Sequence, residues 1–246
     1  MKLKVIGSSS AGNAYILEND QEALLIECGV QIAKIKQALG YQVRKVAGCI
    51  VSHEHKDHCK SVKEILGLGI NVYASYGTHQ AMQTESHHRA RFVHDGKVET
   101  IGGFKIKPFN VKHDAAEPFG YLINHAETGV VLFLTDSYYS EYKFSDLNNI
   151  IIEANYCQTI LDRKVREGLN PKFLRDRVIT SHMSLATCKD LLKANDLTQV
   201  NNIVLIHLSD GNSNAAQFKK EVGEVTGKPI YIAQPGLNID FNKKPF

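Results

Sequence analysis

The stretch Ser52-His53-Glu54-His55-Lys56-Asp57-His58 restricts what this chain can fold into more than any other part of it. It follows the apolar run Val46–Val51, which has the length and composition of a buried strand. Three histidines and an aspartate fall at i, i+2, i+4 and i+5. Packing gives no reason to crowd four polar, metal-competent side chains at the end of a buried strand, because burying them unpaired is costly. The spacing predicts a metal site, and the fold must bring the remaining ligands to it.

Composition narrows the setting. At 246 residues, 43% hydrophobic and 22% charged, the chain has the make-up of a soluble globular protein. One domain spanning residues 1–246 is the simplest reading. There is no apolar run long enough for a membrane span, and the N-terminus enters a strand-like run without signal-peptide architecture. The five cysteines are scattered with no CxxC pair. They read as free thiols of a reducing compartment, so the expected location is cytoplasmic. A formal charge of +3 is too small to imply nucleic acid.

Taken in order, Lys2–Ile6 reads as a strand ending in the glycine- and hydroxyl-rich loop Gly7–Asn13. A hairpin follows, Ala14–Leu17 with Ala23–Ile26. Ile32, Ile35, Ala38 and Leu39 recur at helical spacing before Gly40. A helix over 61–66 and a strand over 70–74 are expected after the histidine cluster. Residues 76–97 read as a solvated helix-and-loop face, with His79, His87, His88 and His94 on it. Strands resume at 98–101, 104–111, 118–123, 129–134 and 150–152. A basic helical stretch over 159–177 is divided by Pro171. Then come a helix over 185–194, a strand over 203–206, a helix over 215–225 and a last strand over 230–233. The alternation points to two similar halves packed face to face.

His53, His55, Asp57, His58, His113, Asp136 and His207 each follow an expected strand. Imidazole with carboxylate suits zinc, and also manganese or iron. Seven candidates exceed the needs of one tetrahedral ion, so two divalent ions bridged by a carboxylate and a hydroxide are the economical expectation.

The HxHxDH pattern of His53–His58, followed in order by His113, Asp136 and His207, resembles the metallo-β-lactamase superfamily. That resemblance covers essentially the whole chain and implies an α/β (α+β) fold, a four-layer αββα sandwich with a dinuclear site at one edge. It implies His53, His55 and His113 on one ion, Asp57, His58 and His207 on the other, and Asp136 between them. Gly7–Asn13, Pro118-Phe119-Gly120-Tyr121, Glu153-Ala154-Asn155, Ser181-His182-Met183-Ser184 and His207-Leu208-Ser209 are similar to the YycJ/WalJ-type branch, associated with 5′→3′ exonuclease activity on DNA. The chain departs from that branch at Lys60-Ser61, Ser137-Tyr138 and Tyr156, changes that bear on substrate preference.

The resulting expectation is a metal-dependent phosphodiesterase acting on nucleic acid, a DNA exonuclease, with Asp57 and His182 catalytic. His182 faces the substrate phosphate in related phosphodiesterases; by itself it reads as a histidine beside a helix cap. Glu153 is placed to orient it. Ser8, Ser9, Asn13, His182 and Ser209 are the expected substrate contacts. The basic segment 163–177 reads equally as a phosphate-binding face or a solvated one, since Asp162, Glu167 and Asp176 are interleaved. The alternatives are a small-molecule metallo-hydrolase of the same fold, acting on a cyclic phosphodiester, thioester or lactone, and a metal-stabilised module without turnover.

Overall fold

The computed structural model describes residues 1–244. Its first half runs β1 (Lys2–Gly7), β2 (Ala14–Glu18), β3 (Ala23–Ile26), α1 (Ile32–Ala38), β4 (Val46–Ile50), α2 (Lys56–Cys59), α3 (Val62–Gly67), β5 (Val72–Ala74), α4 (Tyr76–Ala81) and β6 (Ala90–Phe92). The second runs β7 (Glu99–Ile101), β8 (Phe104–Asn110), β9 (Phe119–His125), β10 (Gly129–Leu134), β11 (Leu147–Glu153), α5 (Gln158–Arg166), α6 (Lys172–Ser181), α7 (Leu185–Lys193), β12 (Asn202–Ile206), α8 (Ala215–Thr226), β13 (Ile230–Ile232) and β14 (Asn238–Asp240).

The two sheets each have seven strands, ordered β14-β1-β2-β3-β4-β5-β6 and β7-β8-β9-β10-β11-β12-β13, so that β14, near the far end of the chain, completes the sheet of the first half. In each, the first three pairings along that order are antiparallel and the last three parallel. Central strands are buried on both faces, which explains their nearly continuous apolar sequences. Alternate residues divide between layers. Tyr15, Leu17, Leu24 and Ile26 meet Val131, Phe133, Val204 and Ile206 between the sheets. Ile16, Leu25 and Cys49 instead pack outward under Ile35, Ile65 and Leu66. On the far side, Leu132, Ile152 and Leu205 pack under Cys188, Leu192 and Phe218. This is the expected αββα sandwich.

Pro171 separates α5 from α6 and stands at the start of α6, where its missing N–H costs nothing. The 76–97 stretch differs from the expectation. It contains the short, mostly exposed strand β6, which pairs in parallel with β5. Three residues are too short a run for periodicity to mark, so only the pairing reveals it. His79 is buried, with its ring nitrogens on Thr84 Oγ1 (2.8 Å) and Val72 O (3.2 Å). It is a satisfied core histidine, not a solvated one. β14 was also absent from the sequence reading, and it likewise exists by pairing, with β1.

The loops after β1 and β3 clamp the HxHxDH turn. Asn13 N donates to Asp57 O (2.7 Å), Cys28 N to His58 O (2.8 Å), and Ser61 N to Cys28 O (2.9 Å). Gly29 lies so close that a Cβ there would stand 1.6 Å from Asp57 O. Gly29→Ala is therefore expected to destabilise the fold on the order of 3 kcal/mol, the upper range for overpacking a tight interior. Chemical denaturation measures this, and a wild-type midpoint would contradict the clamp.

Candidate metal centre

Strand ends supply the site. β4 leads into Ser52–His58, β8 into His113, β10 into Asp136 and β12 into His207, while β11 terminates at Glu153. Parallel strands present their carboxyl ends at one edge, the usual place for a crevice in layered α/β folds. Asp136 (φ 40°) and His207 (φ 54°) adopt left-handed backbone that side chains other than glycine rarely take. Each such residue costs on the order of 1–3 kcal/mol and needs surrounding structure to hold it.

The seven expected ligands come together. Donor atoms of His53, His55, His113 and Asp136 lie within 4.8 Å of one another, as do those of Asp57, His58 and His207. Asp136 joins the groups. Its Oδ2 is 3.7 Å from Nε2 of both His53 and His113 and 3.4 Å from His58 Nε2, while its Oδ1 is 3.2 Å from His207 Nδ1. Asp57 Oδ2 stands 3.3 Å from Nε2 of both His58 and His207. A third group joins Asp136 and His207 to Glu153 and His182.

The outward hydrogen bonds decide what the inner nitrogens offer. His113 Nδ1 donates to Ser181 O (2.9 Å), which leaves a lone pair on Nε2. That Nε2 faces His55 Nδ1 at 3.1 Å. His53 Nδ1 bonds Ser52 Oγ (2.8 Å), and its buried Nε2 has no hydrogen-bond partner among the described residues. Leaving such an atom unsatisfied costs ~1–3 kcal/mol. A shared cation satisfies all three inner nitrogens together. Polar groups behind ligating histidines are the ordinary support of a metal site, fixing tautomer and orientation. The donor set fits a pair of divalent ions.

Charge agrees with this. Burial works against an ionised Asp136, but charge on His207 and His58 outweighs it and holds the carboxyl well below the usual range. Burial also pushes His207 down, yet Asp136, Asp57 and Glu153 raise it to about 10. Burial and the neighbouring His58 charge instead drive His53 well below its ordinary value, so it stays neutral.

Glu27 escaped the sequence reading. It directly follows β3, whereas Asp136 stands two residues beyond β10, and it too has positive φ (63°). It is fully buried, with Oε2 3.6 Å from His58 Nδ1 and Oε1 accepting from Ser52 N (3.1 Å). The available signal was a carboxylate directly after a buried apolar strand. Asn155 Nδ2 donates to His207 O (2.8 Å), a supporting role that the Glu153-Ala154-Asn155 motif does not reveal.

His182 is the C-cap of α6, and Ser184 caps α7 by accepting from Thr187 N. Its Nδ1 donates to Glu153 Oε1 at 2.7 Å and lies 3.9 Å from Asp136 Oδ2. Of the other expected contacts, Asn13 is buried, its amide directed to Asp57 Oδ2 (3.3 Å) and His58 Nε2 (3.2 Å). Ser8 Oγ accepts from His207 N (2.9 Å). Ser8, Ser9 and Ser209 line a cleft of about 370 Å³ beside His207, together with Lys34. The basic segment is partly neutralised, since Arg175 pairs with Asp162 (2.6 Å) and Asp176 (2.9 Å).

Adding zinc or manganese to chelator-treated protein is expected to raise its melting temperature, because ligand binding to the folded state stabilises it by mass action. The effect should weaken as pH falls. His207 and His58 are held above their ordinary values, so their protons compete with metal below those values and leave as pH rises. Scanning calorimetry of wild type and Asp136→Ala at several pH values checks this; the variant should lose most of the metal-dependent shift.

A family model described as the beta-lactamase superfamily domain matches residues 23–208. The chain is 27% identical to exodeoxyribonuclease WalJ of Streptococcus pneumoniae serotype 2, over 98% of this chain and 92% of that protein. It is also 27% identical to exodeoxyribonuclease YycJ of Bacillus anthracis, over 92% and 89% respectively. Among solved structures, the metallo-β-lactamase fold protein YhfI from Bacillus subtilis superposes with a TM-score of 0.75 at 19% identity, covering 97% of this chain and 98% of that one. With seven histidines and aspartates gathered at one edge of an αββα sandwich, the chain belongs to the metallo-β-lactamase superfamily and is similar to its WalJ/YycJ-type branch.

Proposed function

We propose that this metallo-hydrolase-fold protein is a metal-dependent phosphodiesterase acting on nucleic acid, specifically a DNA exonuclease, working as one domain in the cytoplasm. The observation that carries the reading is the Glu153–His182 pair, held at 2.7 Å beside the ligand cluster. The exodeoxyribonuclease names of its relatives support the same choice. His53, His55 and His113 would hold one ion, and Asp57, His58 and His207 the other, with Asp136 shared. The donor set suits zinc or manganese, with iron also accommodated. Two such ions would polarise a phosphodiester and supply hydroxide near neutral pH.

The chain's own groups divide the remaining work. Glu153 takes the Nδ1 proton of His182 in a hydrogen bond, which turns Nε2 away from the carboxylate. With its side chain 22% exposed, His182 can give a proton from Nε2 to the leaving oxygen. Burial disfavours charge on His182, but Glu153 outweighs it and raises the ring above its ordinary value. That keeps the proton available. Asp57 is 23% exposed and can orient the attacking water as a hydrogen-bond acceptor. Ser8, Ser9 and Ser209, with Lys34, offer a polar cleft for an adjoining phosphate, and Asn13 braces Asp57 beneath it.

Metal-loaded protein should hydrolyse bis-p-nitrophenyl phosphate and end-labelled DNA. Binding should weaken with salt, by a log–log slope of about −0.7 to −0.9 per phosphate contacted. His182→Ala is expected to lower kcat on the order of 10²–10⁴-fold with little change in KM. A panel of single- and double-stranded DNA, RNA, a thioester and a lactone decides the class. Turnover of the thioester or lactone without phosphodiester cleavage would overturn the proposal. So would unchanged phosphodiester hydrolysis by Asp136→Ala.

A further inference from the structure

The crossover between parallel strands differs between the two halves. β3 and β4 are joined through α1, which covers the outer face of its sheet. At the matching place in the second half, β10 and β11 are joined by residues 137–146, which form neither helix nor strand. This strap carries Tyr138, Tyr139, Tyr142 and Phe144. A crossover of this kind ordinarily buries its large rings against the sheet, yet Tyr138, Tyr139 and Tyr142 are 42%, 48% and 38% exposed.

The strap starts at the metal centre. Ser137 N donates to Glu153 Oε2 (3.1 Å), and Tyr138 N donates to Lys112 O (3.2 Å), beside His113. The Lys112 ammonium stands 5.5 Å from the Tyr139 ring centre. Farther along, Tyr142 and Phe144 pack edge-on or tilted against Phe109, at 5.6 and 4.9 Å between ring centres. They line a slot of about 280 Å³ whose charged groups are Lys107, Lys143 and Asp95. Exposed rings and lysines are thus interleaved along the strap, from the ligand cluster to the slot, with Glu141 and Asp95 among them.

We propose that this strap is the track for an unpaired nucleic-acid strand, with bases stacking on Tyr138 and Tyr139 and then entering the Tyr142–Phe109 slot. The inference rests on the phosphodiesterase reading of the centre and deepens it, naming single-stranded nucleic acid as the substrate class. Aromatic faces accept any base, and interleaved lysines follow a backbone without reading sequence. A duplex keeps its bases stacked within itself and offers the rings nothing. Lys112, Lys143 and Lys107 meet the phosphates; Glu141, now 3.7 Å from Lys112, is the group a phosphate displaces.

The test is fluorescence anisotropy on manganese-loaded protein with a hydrolysis-resistant phosphorothioate strand, against a blunt duplex of equal length. Tyr138→Ala/Tyr139→Ala should weaken single-strand binding about tenfold or more, as expected for lost stacking, and duplex binding far less. Tyr138→Phe/Tyr139→Phe keeps the rings and should bind as wild type, which separates stacking from misfolding. Tyr41→Ala, an exposed tyrosine beyond α1, should change nothing. Unchanged single-strand binding by the alanine pair, or equal losses on both probes, overturns the track while leaving the phosphodiesterase reading intact. Wild-type protein that binds neither probe overturns the nucleic-acid reading itself, and the track with it.

Discussion

Asp136 lies with its carboxylate buried among histidines, and much of the surrounding architecture serves to keep it there. An isolated charge in such a place would be costly enough to take up a proton. Asp136 remains ionised because charge on His207 and His58 outweighs its burial. The reverse also holds, since Asp136, Asp57 and Glu153 keep His207 charged against its own desolvation. Such a mutually dependent cluster tolerates little displacement of any member. A divalent cation replaces those protons without changing the sign of the argument.

The doubled architecture explains how the cluster is assembled. Each half supplies an antiparallel meander followed by parallel strands, and packing the two sheets face to face brings their strand ends to a common edge. Glu27 and Asp136 lie just beyond the equivalent strands β3 and β10, one and two residues on respectively, both with left-handed backbone. They have diverged in use. Asp136 stands among the inner nitrogens, whereas Glu27 lies behind His58. The same divergence separates the two crossovers, where a covering helix in one half corresponds to an aromatic strap in the other.

Backbone clamps matter as much as side-chain chemistry. Asn13, Cys28 and Gly29 press against the main chain of Asp57 and His58, so loops with no metal-competent role still determine where the ligands point. Ser8, expected to face substrate, accepts a hydrogen bond from His207 N and so fixes ligand geometry as well. Hydroxyl-rich loops beside such a centre therefore have a structural duty that composition does not reveal.

The sequence alone determined a metal-competent cluster, because HxHxDH after a buried strand has no packing explanation. The resemblance which that cluster carries together with His113, Asp136 and His207 implied the layered αββα fold and the seven-residue set. The sequence did not show β6 and β14, three-residue strands too short for periodicity to mark, which are defined by their pairing with β5 and β1. It read His79 as solvated, because the partners that satisfy it, Thr84 and Val72, are contacts of the folded state. Glu27 and the exposure of Tyr138, Tyr139 and Tyr142 were hidden for a similar reason. Local sequence reports periodicity and chemistry, but whether a carboxylate stands behind a histidine, or a ring is left uncovered, depends on which distant segment packs against it. Only the tertiary structure made those choices.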